Sequence, residues 1–118
     1  MILFETRASV ILYNVLFSLK KSGFLKKNSV FLIPLNVCPI VPAVFLKAGV
    51  RFDFVDISLE TLCIDETLLI RRVIEDKNIK GILFVKTYGT EYEPLETFKT
   101  IKNINKNMFE SFFMLFQY

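Results

Sequence analysis

The sequence predicts an α/β fold in which a mostly parallel sheet is flanked by helices. Segments with helical apolar spacing alternate along the chain with short apolar segments rich in β-forming residues. The connections between them are short, which favours a sheet covered by layers of helices. Gly81–Val85 carries no polar side chain, as expected of a strand that is buried on both faces of a parallel sheet.

The first half of the chain supplies a helix, a strand and a second helix. A helix is predicted over Arg7–Lys21, because apolar residues recur there at helical spacing and a glycine follows as a stop signal. Ser29–Pro34 is a short apolar run closed by proline, which predicts a strand. The second helix is predicted from about Pro39 to Ala48, with Pro42 in its first turn, where proline is tolerated.

The second half repeats this alternation. Arg51–Asp56 predicts a strand, and Asp65 is placed to cap the helix that follows it. Gly81–Val85 is the third predicted strand, and Pro94 precedes a last amphipathic helix. Residues 108–118 show neither clean helical amphipathicity nor strand alternation. We therefore divide the chain into residues 1–107, the α/β part, and residues 108–118, a divergent apolar tail.

Composition and charge limit the function classes. The 118-residue chain is 53% apolar with a formal net charge of only +3, so a folded domain is expected rather than disorder. It has no histidine, which excludes Ser-His-Asp and Cys-His catalysis and His-ligated metal sites within this chain. We predict no metal site and no nucleic-acid partner. The pairs Lys20-Lys21 and Lys26-Lys27 are interpreted as cations near a helix C-terminus and in a solvated loop.

The cysteines and one uncharged stretch bear on location. Cys38 and Cys63 are too far apart for a CxxC motif and, without a secretory signal, are interpreted as free thiols in the reducing cytoplasm. Asn28–Leu46 approaches membrane-spanning length, but it contains three prolines. Prolines remove backbone hydrogen bonds that lipid cannot replace, so we expect no membrane-spanning helix.

An ordered series of short motifs gives the chain a family resemblance. Its members are Arg7-Ala8-Ser9-Val10, Ile33-Pro34-Leu35-Asn36-Val37-Cys38, Val41-Pro42-Ala43-Val44, Ala48-Gly49-Val50, Phe54-Val55-Asp56-Ile57, Leu62-Cys63-Ile64-Asp65 and Phe84-Val85-Lys86-Thr87-Tyr88-Gly89. In this order and at these spacings the series resembles the first part of the DegT/DnrJ/StrS sugar aminotransferases, over about Thr6 to Ile104. The resemblance implies part of the large domain of a fold-type I, PLP-dependent enzyme. Such enzymes aminate keto-sugar nucleotides in cell-surface polysaccharide or related sugar biosynthesis, usually as homodimers.

The resemblance also implies three cofactor-binding residues. In the family the start of the first helix holds the PLP phosphate, and the matching residues here are Arg7 and Ala8. Free N–H groups and the helix dipole attract an anion at such a position. The alternative for Arg7 is a surface arginine beside Glu5. Cys38 matches the position of an aromatic residue that stacks on the cofactor ring, and its alternative is a small buried apolar residue.

The catalytic residues of the family have no counterpart in the part that the resemblance covers. PLP transamination needs a lysine amine for the Schiff base and a carboxylate for the pyridinium nitrogen. In the family both follow the segment matched here, so we assign no catalytic residue. Two matched positions also depart from the family, since Thr6 replaces a usual glycine and Lys86 a common histidine.

Two functional hypotheses follow. The first is a truncated family member that is inactive alone. The family forms its site across a homodimer, and a complementing C-terminal fragment could complete the site here. The second is a small, non-catalytic α/β binding or interaction module, in which a phenylalanine-rich surface serves as a docking face.

Overall fold

The structure is a computed structural model, and it describes residues 8–86, 94–104 and 113–117. Within these residues helices alternate with strands, as predicted. In chain order the elements are α1 (Ala8–Lys21), β1 (Val30–Pro34), α2 (Ile40–Ala48), β2 (Arg51–Val55), α3 (Glu66–Glu75), β3 (Ile79–Lys86), α4 (Leu95–Ile104) and β4 (Phe113–Gln117).

Local signals fix the ends of the helices. The Asp65 carboxylate accepts a hydrogen bond from the Leu68 N–H at 3.0 Å, so it caps α3 as predicted. Pro39 is the N-cap residue of α2, which places Pro42 in the first turn, where no helical hydrogen bond is lost. Gly49 follows α2 with a φ of 71°, and its N–H contacts the last carbonyls of the helix.

The strands form one parallel sheet in the order β2-β1-β3-β4. The chain runs from β1 outwards to β2, returns past β1 to β3 on its other side, and continues to β4. The direction of winding therefore reverses between β1 and β3. This arrangement confirms the α/β fold with a parallel sheet flanked by helices.

This reversal places helices on both faces of the sheet. The helices α1 and α2 pack on one face, against residues that include Phe31 and Leu83. The helices α3 and α4 pack on the other face, against residues that include Leu32 and Ile82. Consecutive strand residues thus enter opposite cores, which explains why β1 and the interior of β3 read as unbroken apolar runs.

A glycine permits the close contact between the two central strands. Gly81 of β3 pairs in register with Phe31 of β1, whose ring is fully buried. A Cβ atom at position 81 would overlap that ring. The glycine is therefore required by the approach of a neighbouring side chain.

The apolar tail contains a strand that its local pattern did not predict. Phe113–Gln117 forms β4 and pairs in parallel with β3, from Ile82 to Lys86. The pairing partner lies about thirty residues away in sequence, and such partners decide strand formation more than intrinsic preference does. The uncharged stretch Asn28–Leu46 contains β1 and most of α2. No helix in the described part of the chain is long and apolar enough to cross a membrane.

Candidate functional site

The carboxyl end of the sheet, where β1 and β3 finish, is the expected ligand position in this topology. Parallel α/β sheets bind ligands outside the carboxyl ends of their strands, where the winding reverses. Here that point lies between β1, which ends at Pro34, and β3, which ends at Lys86. The loop from β1 to α2, residues 35–39, is therefore placed beside the crevice. Residues 87–93, which follow β3, lie outside the described residues.

The first helix begins at the same end of the sheet. Lys20, in the last turn of α1, donates a hydrogen bond from Nζ to the Gly49 carbonyl at 3.1 Å, directly after α2. The strands β1 and β2 start shortly after these helix ends, so both helix C-termini lie at the amino end of the sheet. Because α1 has 14 residues and is about 21 Å long, its first residue, Ala8, lies towards the carboxyl end. Ala8 is exposed there, and Arg7 lies outside the described residues.

Cys38 lies in the loop between β1 and α2 and is exposed. Its carbonyl accepts a hydrogen bond from the Val41 N–H at 2.9 Å, in the first turn of α2. The alternative interpretation of Cys38 as a small buried apolar residue is therefore wrong. That interpretation rested on the usual burial of free cysteines, but the loop between β1 and α2 exposes this residue. By contrast Cys63 is buried, and no disulfide joins the two cysteines.

Asn36 is a residue of this end of the sheet that sequence reasoning did not assign. Its side-chain amide donates to the Leu62 carbonyl at 3.0 Å, across the gap to the loop between β2 and α3. Leu62 has a φ of 58°, a conformation that costs a non-glycine residue about 1–2 kcal/mol. The Leu62 N–H bonds to the Ser58 carbonyl at 2.8 Å, and the loop closes through a bridge between Ile57 and Ile64. The only available sequence signal was a polar residue just after an apolar strand.

The arrangement is suited to an anion at the start of α1 and to a planar group near the β1–α2 loop. The first N–H groups of a helix have no carbonyl partner within it, and the helix dipole makes that end positive. The exposed thiol of Cys38 can pack against an apolar or aromatic face. Among the described residues, no group of three or more Cys, Asp or Glu side chains could hold a metal ion.

The solved structures that share this fold include sugar-nucleotide dehydratases, one with bound PLP, and a sugar aminotransferase. The chain matches a GDP-4-keto-6-deoxy-D-mannose-3-dehydratase from E. coli, solved with bound hydrated PLP, at 23% identity and a TM-score of 0.71 over 92% of this chain and 26% of that chain. It matches a variant of the same kind of dehydratase, solved with bound GDP-perosamine, at 25% identity and a TM-score of 0.67, again over 92% of this chain and 26% of that chain. It also matches a sugar aminotransferase from Micromonospora echinospora at 14% identity and a TM-score of 0.64, over 92% of this chain and 28% of that chain.

These likenesses establish the fold. The chain has part of the fold of the type I PLP-dependent aminotransferases. It spans about a quarter of the length of the solved chains that it matches, 26% in the case of the dehydratases. A scan against family models and a search among curated proteins found no match.

Proposed function

We propose that this chain is part of the large domain of a PLP-dependent sugar-nucleotide aminotransferase of the DegT/DnrJ/StrS family, and that it forms one wall of the cofactor site. The enzyme would transfer an amino group to a keto-sugar nucleotide in the cytoplasm, for cell-surface polysaccharide or related sugar biosynthesis. One observation carries the proposal. Ala8 and Cys38, chosen from a motif series, both lie at the carboxyl end of the sheet, the end at which this topology binds ligands.

The family resemblance suggests the roles of Arg7, Ala8 and Cys38, and the structure adds one for Asn36. The N–H groups that begin α1, at Ala8, would hold the phosphate, and Arg7 would add a charge-assisted contact. Cys38 would cover one face of the pyridine ring. Asn36 would hold the neighbouring loop in place through its bond to Leu62. When bound, PLP supplies an electron sink for amino transfer.

We further propose that the chain by itself does not catalyse transamination. The family resemblance ends near Ile104 and includes neither the lysine that binds PLP covalently nor the carboxylate that pairs with its ring nitrogen. A complementing C-terminal fragment would supply these groups, since a second copy of this chain lacks them as well. The lysine pair Lys20-Lys21 cannot replace them, because it belongs to the last turn of α1, at the opposite end of the sheet.

A second candidate, the non-catalytic interaction module, is favoured by one observation. Apolar side chains on α1 and α2 are exposed, with Leu46 at 72%, Ile40 at 52% and Phe17 at 49%. Large exposed apolar patches are typical of docking surfaces. Size-exclusion chromatography with light scattering separates the two hypotheses. A stable, monodisperse assembly that does not bind the cofactor supports the module, whereas PLP binding at α1 supports the aminotransferase fragment.

The direct test uses a cofactor analogue that lacks the aldehyde, 4′-deoxypyridoxine 5′-phosphate, so that only non-covalent binding is measured. The variant Ala8→Glu places a negative charge at the start of α1, where it stabilises the helix but repels phosphate. The control Asn14→Glu adds the same charge to an exposed position further along α1. We expect the Kd of the analogue, followed by ³¹P NMR, to rise roughly fivefold in the first variant, since a like charge nearby costs on the order of 1 kcal/mol.

Two results would contradict the proposal. Equal effects of the two variants would show that the phosphate is not bound at the start of α1. With PLP itself, borohydride reduction that fixes the cofactor to one lysine and is accompanied by amino transfer would show that the chain contains its own catalytic lysine.

A further inference from the structure

A second concave site lies at the amino end of the sheet, opposite the cofactor wall. It is a cavity of about 420 Å³ between the ends of α1 and α2 and the starts of β1 and β2. Its lining residues come from three separate segments of the chain: Lys20, Leu25, Lys26, Lys27, Ser29, Gly49, Val50 and Arg51. A volume of this size lies in the range of about 300–1,000 Å³ that is typical of small-molecule sites.

The lining is strongly cationic. Lys20, Lys26, Lys27 and Arg51 contribute positive charges, and no aspartate or glutamate lines the cavity. In the part of the chain that the structure describes, none of these four side chains pairs with a carboxylate, whereas Arg72 of α3 pairs with Asp53.

The helix dipoles do not cancel this charge. The C-termini of α1 and α2 face the same end of the sheet, and each contributes about −0.5 of an elementary charge. The sum, roughly −1, is well below the four positive side chains that line the cavity. Neutralising a helix C-terminus therefore accounts for only part of the cationic lining.

Specific contacts hold the ammonium group of Lys20 and the backbone of the loop that carries Lys26 and Lys27. Lys20 Nζ donates to the Gly49 carbonyl at 3.1 Å, and a Cβ atom at position 49 would overlap that ammonium group. An ammonium group has three donors, so Lys20 retains donors for a ligand. The Lys26 N–H donates at 2.8 Å to the hydroxyl of Ser29, a residue only 5% exposed, which fixes the loop that carries Lys26 and Lys27.

We infer that this cavity binds a small ligand with a diphosphate group. A lining with four cationic residues from three segments matches a compact, multiply charged anion better than a single carboxylate. The inference does not depend on the proposed cofactor site, since the five residues of β1 separate the two sites by about 17 Å.

The test is a titration of the full chain with inorganic pyrophosphate, followed by calorimetry and by amide NMR of Ser29, Val50 and Arg51. The variants Lys27→Glu and Arg51→Glu reverse charges that come from different segments of the lining. The control Lys77→Glu makes the same charge change in the exposed turn before β3, also at the amino end but outside the cavity. Circular dichroism verifies that all three variants fold.

We expect pyrophosphate to shift the amide signals of Ser29, Val50 and Arg51. Each lining variant should raise the Kd of pyrophosphate about tenfold, whereas the control should raise it less than about twofold. A nucleoside diphosphate that binds more tightly than pyrophosphate would identify a nucleotide as the source of the diphosphate, and equal affinities would identify the free diphosphate. Three results would overturn the inference. They are the absence of amide shifts at saturating pyrophosphate, an equal loss in the control, or tighter binding of a single-stranded oligonucleotide with a steep salt dependence.

Discussion

The two ends of the parallel sheet differ in the charge of their side chains and in how readily a sequence pattern predicts their proposed sites. At the carboxyl end, α1 and α2 begin, and the polar groups are an exposed thiol at Cys38 and the amide of Asn36. At the amino end the same helices finish beside four cations. The proposed cofactor site would depend on helix N–H groups and on loops, whereas the proposed diphosphate site would depend on side-chain charge. The two proposals therefore invoke different physical means of binding an anion.

The largest loss of stability is expected from a change in the central strands, which support both ends of the sheet. Replacing Gly81 by alanine puts a methyl group into the buried Phe31 ring between β1 and β3. Overpacking of this kind costs about 1–3 kcal/mol, so we expect the free energy of unfolding to fall by about 2 kcal/mol in urea denaturation.

Gly23→Ala is the matched control, because Gly23 has a φ of 86° and open space around it. Its expected cost is about 1 kcal/mol, from backbone strain alone. A smaller loss in Gly81→Ala than in Gly23→Ala would show that the central strands are packed less tightly than described.

Changes at Asn36 should lower the stability by less and should act only at the carboxyl end of the sheet. Asn36→Ala and Asn36→Asp both remove the donor to the Leu62 carbonyl. Each should lower the free energy of unfolding by about 1 kcal/mol, the usual net value of a hydrogen bond. Binding of pyrophosphate at the amino end should stay unchanged in calorimetry. Wild-type stability in Asn36→Asp would show that the donor does not hold the loop.

The smallest effect is expected at the ion pair between Arg72 and Asp53. The two side chains are 2.5 Å apart but are 32% and 54% exposed. Exposed pairs contribute about 0.2–1 kcal/mol. A double-mutant cycle with Arg72→Gln and Asp53→Asn should therefore give a coupling energy near 0.5 kcal/mol, decreasing as salt is added. A coupling energy that does not change with salt would contradict this account of a solvent-screened contact.

Local patterns predicted most of the elements because their causes are local. Helical spacing gave α1, and the side chain of Asp65 gave the start of α3. The strand β4 was missed because its pairing partner lies in β3, far along the chain. The five residues of β4 show no alternation of apolar and polar side chains that would indicate this pairing.

The two proposed sites show the same limit of prediction from sequence, because both depend on contacts between distant segments. The motif series pointed to Ala8 and Cys38 at one end of the sheet, but it could not show that Cys38 is exposed. It also gave no role to Asn36, whose partner Leu62 lies 26 residues later. The cationic cavity was not predicted, because Lys20 and Lys26 read as cations near a helix end. Arg51 lies beside these lysines only in the folded chain.

The separation of the two sites is tested most directly by amide NMR on one ¹⁵N-labelled sample of the full chain, titrated separately with 4′-deoxypyridoxine 5′-phosphate and with pyrophosphate. The account predicts that the cofactor analogue shifts the amides at the start of α1 and at Cys38, whereas pyrophosphate shifts those of Ser29, Val50 and Arg51. Shifts by the cofactor analogue at the amino end alone would contradict the assignment of the cofactor wall to the carboxyl end.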